Sequence, residues 1–213
     1  MHLILSLVTV LGALAVGVVS PGPSFLMVAR TAVARSRGEG IAAALGMGLG
    51  GMVFAIVALL GLTAAIAAAP SLYLAVRILG ALYLGFLGCQ IWRGAGRPLS
   101  DDALAFSGRA SRIGAFCRGL GTQLSNPKTA IVYGSVFATL LPQGLPLVAA
   151  LVLPVLVFAL ETSWYLLVAL TLSASGPRGA YLRSKRAIDR TAGAVMALLG
   201  AKLLFNAFDG LRG

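Results

Sequence analysis

Charged residues are scarce in this sequence, and their scarcity decides its broad class. Only 11% of the 213 residues are Asp, Glu, Lys or Arg, whereas about a quarter is usual in soluble domains. Hydrophobic residues make up 59% of the chain, and the mean hydropathy is +0.95. No polar stretch is long enough to fold as a soluble domain. We therefore predict a single all-α polytopic membrane domain over residues 1–213 that lies in a lipid bilayer.

Histidine and cysteine are nearly absent, which argues against several kinds of chemistry. The one histidine, His2, stands at the chain terminus and gives no support to a catalytic histidine or a His-rich metal site. Cys89 and Cys117 form no C-x-x-C pair, so a redox or metal motif is unsupported. Nothing resembles a Gly-rich phosphate-binding loop, which argues against ATP-driven pumping. The sequence predicts no enzymatic activity, no metal and no cofactor.

Acidic residues are also few, six against 17 Lys and Arg. In a soluble chain such an excess would suggest nucleic acid as a partner. Here thirteen of the basic residues lie in three loops between apolar spans, at about 30–37, 93–118 and 178–190. The turns near residues 70 and 143 contain none. The positive-inside rule places the basic loops in the cytoplasm and both termini outside, with no nucleic-acid partner.

The apolar runs predict six transmembrane helices. They cover about residues 3–35, 41–69, 72–92, 113–141, 147–173 and 191–208. The helices divide into repeat one (1–92) and repeat two (113–213), joined by a polar linker at 93–112. Since each repeat has an odd number of spans, the second must enter the membrane from the opposite side. We therefore predict two inverted three-helix repeats, an arrangement found in many secondary transporters.

Two proline-containing segments interrupt spans 1 and 4 at corresponding positions. They are Ser20-Pro21-Gly22-Pro23 and Ser125-Asn126-Pro127-Lys128. Because proline has no N–H, carbonyl groups one turn upstream lose their partners, and a membrane tolerates this only where the break is buried in protein or lines a polar cavity. The half-helices that follow present unpaired N–H groups around Ser24–Leu26 and Lys128–Ala130, where a carboxylate could bind.

The matched breaks favour a substrate-binding site over a pair of kinks relieved by neighbouring helices. The candidate substrate-binding residues are Pro21, Gly22, Pro23, Ser24, Gln123, Ser125, Asn126, Pro127 and Lys128. Lys128 opposes the dipole of the helix that it begins, so we expect it to face Glu161, an anionic substrate group or a water-filled vestibule.

Glu161 is the acidic residue expected in the middle of a span, whereas the other five acids lie in loops or near span ends. A carboxylate at mid-bilayer costs about 2.5 kcal/mol or more on insertion scales. Such a residue usually faces a cavity, a partner or a proton path. Burial favours the protonated acid, which suits a proton-coupling role. A structural hydrogen bond to another span is the alternative.

Several short segments carry a family resemblance that covers nearly the whole chain. They are Pro21-Gly22-Pro23, Arg35–Gly40, Asn126-Pro127-Lys128, Leu141-Pro142-Gln143 and the ending from Asp189 to Leu203. Together they resemble the lysine exporter (LysE) and homoserine/threonine efflux (RhtB) family of bacterial amino-acid exporters. The resemblance implies export of small amino acids across the bacterial inner membrane, with proton antiport as the driving reaction. Members often carry an aspartate in span 5, and Glu161 corresponds to it as a longer acid.

Two other functions stay open at this point. A metal-ion exporter of related architecture would need clusters of His, Cys or acidic residues within the spans, and a membrane thiol–disulfide conduit would use Cys89 and Cys117. The spacing Gly46-x-x-x-Gly50 predicts close approach of another helix. Such glycine-rich faces serve contacts within or between chains, so a homo-oligomer is also left open.

Overall fold

The computed structural model describes residues 2–20, 22–68, 70–95, 111–142, 144–172 and 175–209, which fold into eight α-helices. They are α1 (His2–Val19), α2 (Pro23–Ala34), α3 (Arg37–Ala68), α4 (Pro70–Gly94), α5 (Arg112–Leu124), α6 (Pro127–Leu140), α7 (Leu147–Leu172) and α8 (Ser175–Asp209). The predicted all-helical class is confirmed. Residues 96–110, most of the predicted linker, lie outside the described residues.

Both predicted helix breaks are present. α1 ends at Val19 and α2 begins at Pro23, with a bend of 60° between the two helices. In the second half, α5 ends at Leu124 and α6 begins at Pro127. Proline starts both second pieces because the first turn of a helix needs no N–H from that residue.

The basic segment before predicted span 6 corrects our expectation of a loop. α8 runs continuously from Ser175 to Asp209 and includes the residues 178–190. Arg, Lys and Ala have high helix propensity, and no proline follows Pro177 in this segment. The charges bear on which side of a membrane the segment prefers, and they do not end the helix.

Two helices have the length and hydropathy of membrane spans, Arg37–Leu62 within α3 and Leu147–Leu172, which is α7. The bent pair α1–α2 counts as a third if it is taken as one span. The other described helices do not meet this criterion, so the six-span topology stays a prediction.

Helix α3 packs between α5 and α7, and α4 packs along α8. Glycine allows α3 and α5 to pack closely. A methyl group on Gly46 would collide with the main chain of Phe116, and one on Gly50 would lie 2.7 Å from the Cβ atom of Gln123. The predicted close approach at Gly46-x-x-x-Gly50 is therefore confirmed, with α5 as the partner. In the second pair, Gly88 of α4 lies directly against the main chain of α8 at Gly193.

The apolar interior forms two clusters. One includes Val10, Leu14, Ala55, Val136, Phe137, Leu153 and Val157, and the other includes Phe25, Val28, Ala43, Met47, Val168 and Ala169. On α7, Glu161 lies between Val157 of the first cluster and Val168 of the second. On α3, Met47 and Ala55 likewise belong to different clusters. The middle of the protein therefore has a polar level with an apolar cluster on each side.

Candidate functional site

Glu161 lies in the interior of the protein, with only 1% of its surface exposed. Its Oε2 accepts a hydrogen bond of 2.6 Å from the side-chain amide of Gln123 on α5. Its Oε1 accepts one of 2.8 Å from the Tyr133 hydroxyl on α6. Both carboxyl oxygens are thus bound by donors from the second broken pair, which offsets much of the cost of burying the group.

A chain of hydrogen bonds extends from this carboxyl group to both helix breaks. The Ser24 hydroxyl donates to Gln123 Oε1 at 2.7 Å and accepts from Asn126 Nδ2 at 3.0 Å. Asn126 Oδ1 in turn accepts from the main-chain N–H of Lys128 at 3.1 Å, which caps α6. Side chains that are about a hundred residues apart in sequence therefore form one connected polar network around Glu161.

Lys128 occupies a position that the sequence left open. Its Nζ donates to the carbonyl oxygens of Gly17 at 3.3 Å and Ser20 at 3.2 Å. The ordinary helical donor for Gly17 O would be residue 21, which is proline and has no N–H. The ammonium group takes the place of the missing donor at the negative end of the α1 dipole. Lys128 therefore binds the end of α1, whereas Glu161 has other partners.

These groups line a small cavity between α1, α2, α5, α6 and α7. Its volume of about 30 Å³ holds about two water molecules and no amino acid. A substrate therefore has to displace side chains or helices to enter.

Most of the predicted binding residues described by the structure meet at this cavity. Its lining includes Gly22, Ser24, Gln123, Asn126, Lys128 and Glu161. Ser125 is an exception, because it caps the end of α5 and its side chain is exposed, outside the cavity lining. Pro23 and Pro127 begin α2 and α6, and Pro21 lies outside the described residues.

The lining also includes Tyr133 and Tyr165, neither of which is among the predicted binding residues. Tyr165 is four residues after Glu161, a spacing that places both on one face of α7 and could have been used as a signal. Tyr133 lies 28 residues before Glu161, and its sequence surroundings are apolar. Helices α6 and α7 both pack against α1 and α3, and this arrangement brings the Tyr133 hydroxyl to the carboxyl group.

A larger cavity of about 690 Å³ lies between α3, the α6–α7 connection and α7. The described residues that line it have no polar side chains and include Ile56, Leu141, Leu151 and Val155. Such a surface offers no partner for the two charges of an amino acid, so the polar cavity is the better candidate.

The described residues give no support to either alternative function. Within the described parts of the chain, no three His, Cys, Asp or Glu side chains lie close enough to hold a metal ion. Cys89 on α4 and Cys117 on α5 are exposed free thiols.

Residues 15–207 match the family described as LysE type translocator. The chain belongs to this family. It is 36% identical over 197 residues to the threonine efflux protein of Escherichia coli K12, which covers 90% of this chain and 93% of that protein. The threonine efflux protein of Salmonella typhimurium is 37% identical over the same coverage. The leucine efflux protein of Salmonella choleraesuis is 33% identical over 124 residues, 56% of each chain.

No solved structure matches the chain significantly. The match to LysE type translocators confirms the resemblance predicted from the sequence. This translocator is a membrane transport protein and not an enzyme.

Proposed function

We propose that this translocator exports threonine, or another small neutral amino acid, from the cytoplasm in exchange for protons. The observation that carries the proposal is the hydrogen-bonded network that joins both helix breaks to Glu161. Its relatives include threonine efflux proteins that align over 90% of the chain, which favours threonine over leucine as the first substrate to test.

The charges of the site match those of a zwitterion. The first N–H groups of α2 and the ammonium group of Lys128 lie on the side of the helix breaks, where a substrate carboxylate would bind. Glu161 supplies the negative charge for the substrate ammonium group. Lys128 and Glu161 line the same cavity, so one small amino acid would bridge them.

Transport follows from competition for Glu161. An incoming ammonium group displaces the donors Gln123 and Tyr133 from the carboxylate, and after release on the outside a proton replaces the substrate. The protonated carboxyl group returns without an amino acid, so each export cycle brings one proton inward. The apolar clusters on the two sides of the site separate in turn, which opens the site first inward and then outward.

The proposed architecture is one domain of six spans, made of inverted repeats at 1–92 and 113–213. The element order supports it, since each repeat has a broken first pair, α1–α2 or α5–α6, followed by two helices. The helix pairs that would be equivalent also pack together, α3 against α7 and α4 against α8. Contact between equivalent helices is expected around a pseudo-two-fold axis. The thirteen basic residues at about 30–37, 93–118 and 178–190 support a cytoplasmic position for these segments and external termini in a bacterial inner membrane.

The test is amino-acid export by purified protein in proteoliposomes, with a panel of amino acids and with or without a pH gradient. We expect threonine export that a gradient accelerates. Glu161→Gln keeps the size of the side chain but removes the negative charge. Since hydrogen bonds to charged groups contribute about 1.5–3 kcal/mol, export should fall by about 10- to 100-fold.

The matched control is Ser163→Ala, which changes an exposed side chain on the same helix and should export normally. Undiminished export by Glu161→Gln that still responds to the pH gradient would remove Glu161 from the mechanism. Export by the wild type that ignores the gradient would reject proton exchange and leave amino-acid export standing.

A further inference from the structure

A glycine on α3 lies directly against the carboxyl group of Glu161. A Cβ atom placed on Gly51 would be 2.6 Å from Cδ and Oε2 of Glu161 and 3.0 Å from its Oε1. Non-bonded carbon and oxygen atoms do not approach so closely without displacement. A flexible side-chain end usually moves aside, but this one is buried and held by hydrogen bonds on both oxygens.

The neighbouring glycine makes room for the hydrogen-bond partner of Glu161. A Cβ atom on Gly50 would be 2.7 Å from Cβ and 2.8 Å from Cγ of Gln123. The adjacent glycines of α3 thus face two side chains that contact each other: Gly51 faces Glu161 of α7, and Gly50 faces Gln123 of α5. Gly61, further along α3, has no atom within 4 Å of the same position.

We propose that Gly51 is a positioning residue that sets how far Glu161 extends into the site. Without a side chain at position 51, the long glutamate can pass α3 and reach Gln123 and Tyr133 together. A methyl group there pushes the carboxyl group away from both donors and from the cavity. This inference rests on the proposed function and adds that residue 51 and the length of the acid at position 161 must be matched.

If residue 51 and the acid at position 161 must match in size, variants at the two positions should compensate for each other. Aspartate is one methylene shorter than glutamate, so in Glu161→Asp the carboxyl group withdraws from the space beside Gly51. Glu161→Asp alone loses contact with its donors and should be impaired. Combined with Gly51→Ala, the same change relieves the collision and should be beneficial.

The experiment compares export of L-threonine from proteoliposomes for wild type, Gly51→Ala, Glu161→Asp and the double variant. We expect Gly51→Ala to lower the rate by about tenfold or more, since displacement of a binding group by about 1 Å can cost up to about a hundredfold. The double variant should export several-fold faster than Gly51→Ala. The control Gly61→Ala adds the same methyl group in open space on the same helix and should match the wild type.

Wild-type export by Gly51→Ala would overturn the proposal, and so would a double variant no better than Gly51→Ala. A defect at position 51 that is unrelated to Glu161 gives no reason for rescue by a second change that is harmful alone. Rescue by the shorter acid therefore separates positioning from general destabilisation.

Thermal denaturation of the purified variants keeps the proposal testable if the proposed function fails. Should the wild type export no amino acid of the panel, the proposed function is rejected, but the collision is still measurable. Gly51→Ala should lower the unfolding midpoint by about 3 °C or more, and adding Glu161→Asp should raise it again. If Gly51→Ala does not accumulate in membranes, recovery of folded protein in the double variant supports the proposal, and its absence overturns it.

Discussion

The two helix breaks are alike in sequence position but differ in how their polar groups are satisfied. At the second break, the Asn126 side chain caps α6 by accepting from the Lys128 N–H. At the first break, Gly22 is the N-cap of α2 and has no side-chain acceptor. The carbonyl groups of Gly17 and Ser20 at the end of α1 accept from Lys128 instead.

The polar groups of the second break are therefore bound mostly within their own half of the chain, whereas those of the first break depend on side chains of the other half. Ser24 shows the same dependence, because its hydroxyl binds Gln123 and Asn126. A movement that separates the halves would leave the first break without partners and the second almost intact. We infer that a substrate which replaces these contacts acts first on the end of α1 and the start of α2.

Among changes at the two helix breaks, loss of the Lys128 ammonium group should have the largest effect on stability and export. Lys128→Met keeps most of the length of the side chain but leaves the carbonyl groups of Gly17 and Ser20 without their donor, at about 1–3 kcal/mol for each buried unsatisfied group. We expect a clearly lower unfolding midpoint and export reduced by about tenfold. Lys202→Met removes a cation from an exposed position on α8 and should behave as wild type. Equal behaviour of the two variants would contradict the assigned contact.

Changes at Asn126 should separate the cap of the second break from its link to the first. Asn126→Ala loses both and should destabilise by about 1–2 kcal/mol. Asn126→Asp keeps an oxygen for the Lys128 N–H but has no N–H to donate to Ser24. Denaturation of both variants should place Asn126→Asp between wild type and Asn126→Ala. An aspartate variant as damaging as alanine would show that the cap contributes little.

Ser24→Ala should have a smaller effect, because it removes only one hydroxyl from the network. The expected loss is about 1 kcal/mol of stability and a few-fold slower export. Ser125→Ala makes the same change at the second break, where the hydroxyl is exposed, and export should be unchanged. If Ser125→Ala is the more damaging variant, the assignment of the two serines is wrong.

The smallest expected effect is a gain in stability from a new helix cap at the first break. Gly22 has φ −156° and ψ −166°, extended angles that any residue adopts, and a Cβ atom there would meet only Lys128 Nζ at 3.8 Å. Gly22→Asn should supply the missing cap and raise stability by a few tenths of a kcal/mol, or about 1 °C in the unfolding midpoint. Gly22→Ala adds a Cβ atom without a cap acceptor and should not give this gain.

The sequence predicted the parts of the site that break local rules. Proline within an apolar run marked both helix breaks, and a carboxylate at mid-span marked Glu161, because each is costly in a membrane unless it has partners. Gln123 and Ser24 followed from their proximity to the breaks.

The remaining features depend on packing between distant segments. Tyr133 became part of the site because α6 and α7 both pack against α1 and α3, and Gly51 gained its importance from the space that Glu161 occupies. The contact of Lys128 with the end of α1 could not be predicted from the residues near position 128, because it depends on where α1 ends in the fold. The helical course of residues 178–190 was missed because charge was taken as a sign of a loop.

The two apolar clusters on either side of the polar level bear on how the protein would prevent protons from leaking across the membrane. A titratable acid in the middle of a bilayer would short-circuit the ion gradient if water reached it from both sides at once. In the proposed exchange, the close-packed apolar clusters on either side would prevent a continuous water wire, so only one cluster would need to open at a time. The tightness of the membrane in that exchange would thus depend on ordinary residues such as Val157 and Val168, which are not part of the polar cavity lining.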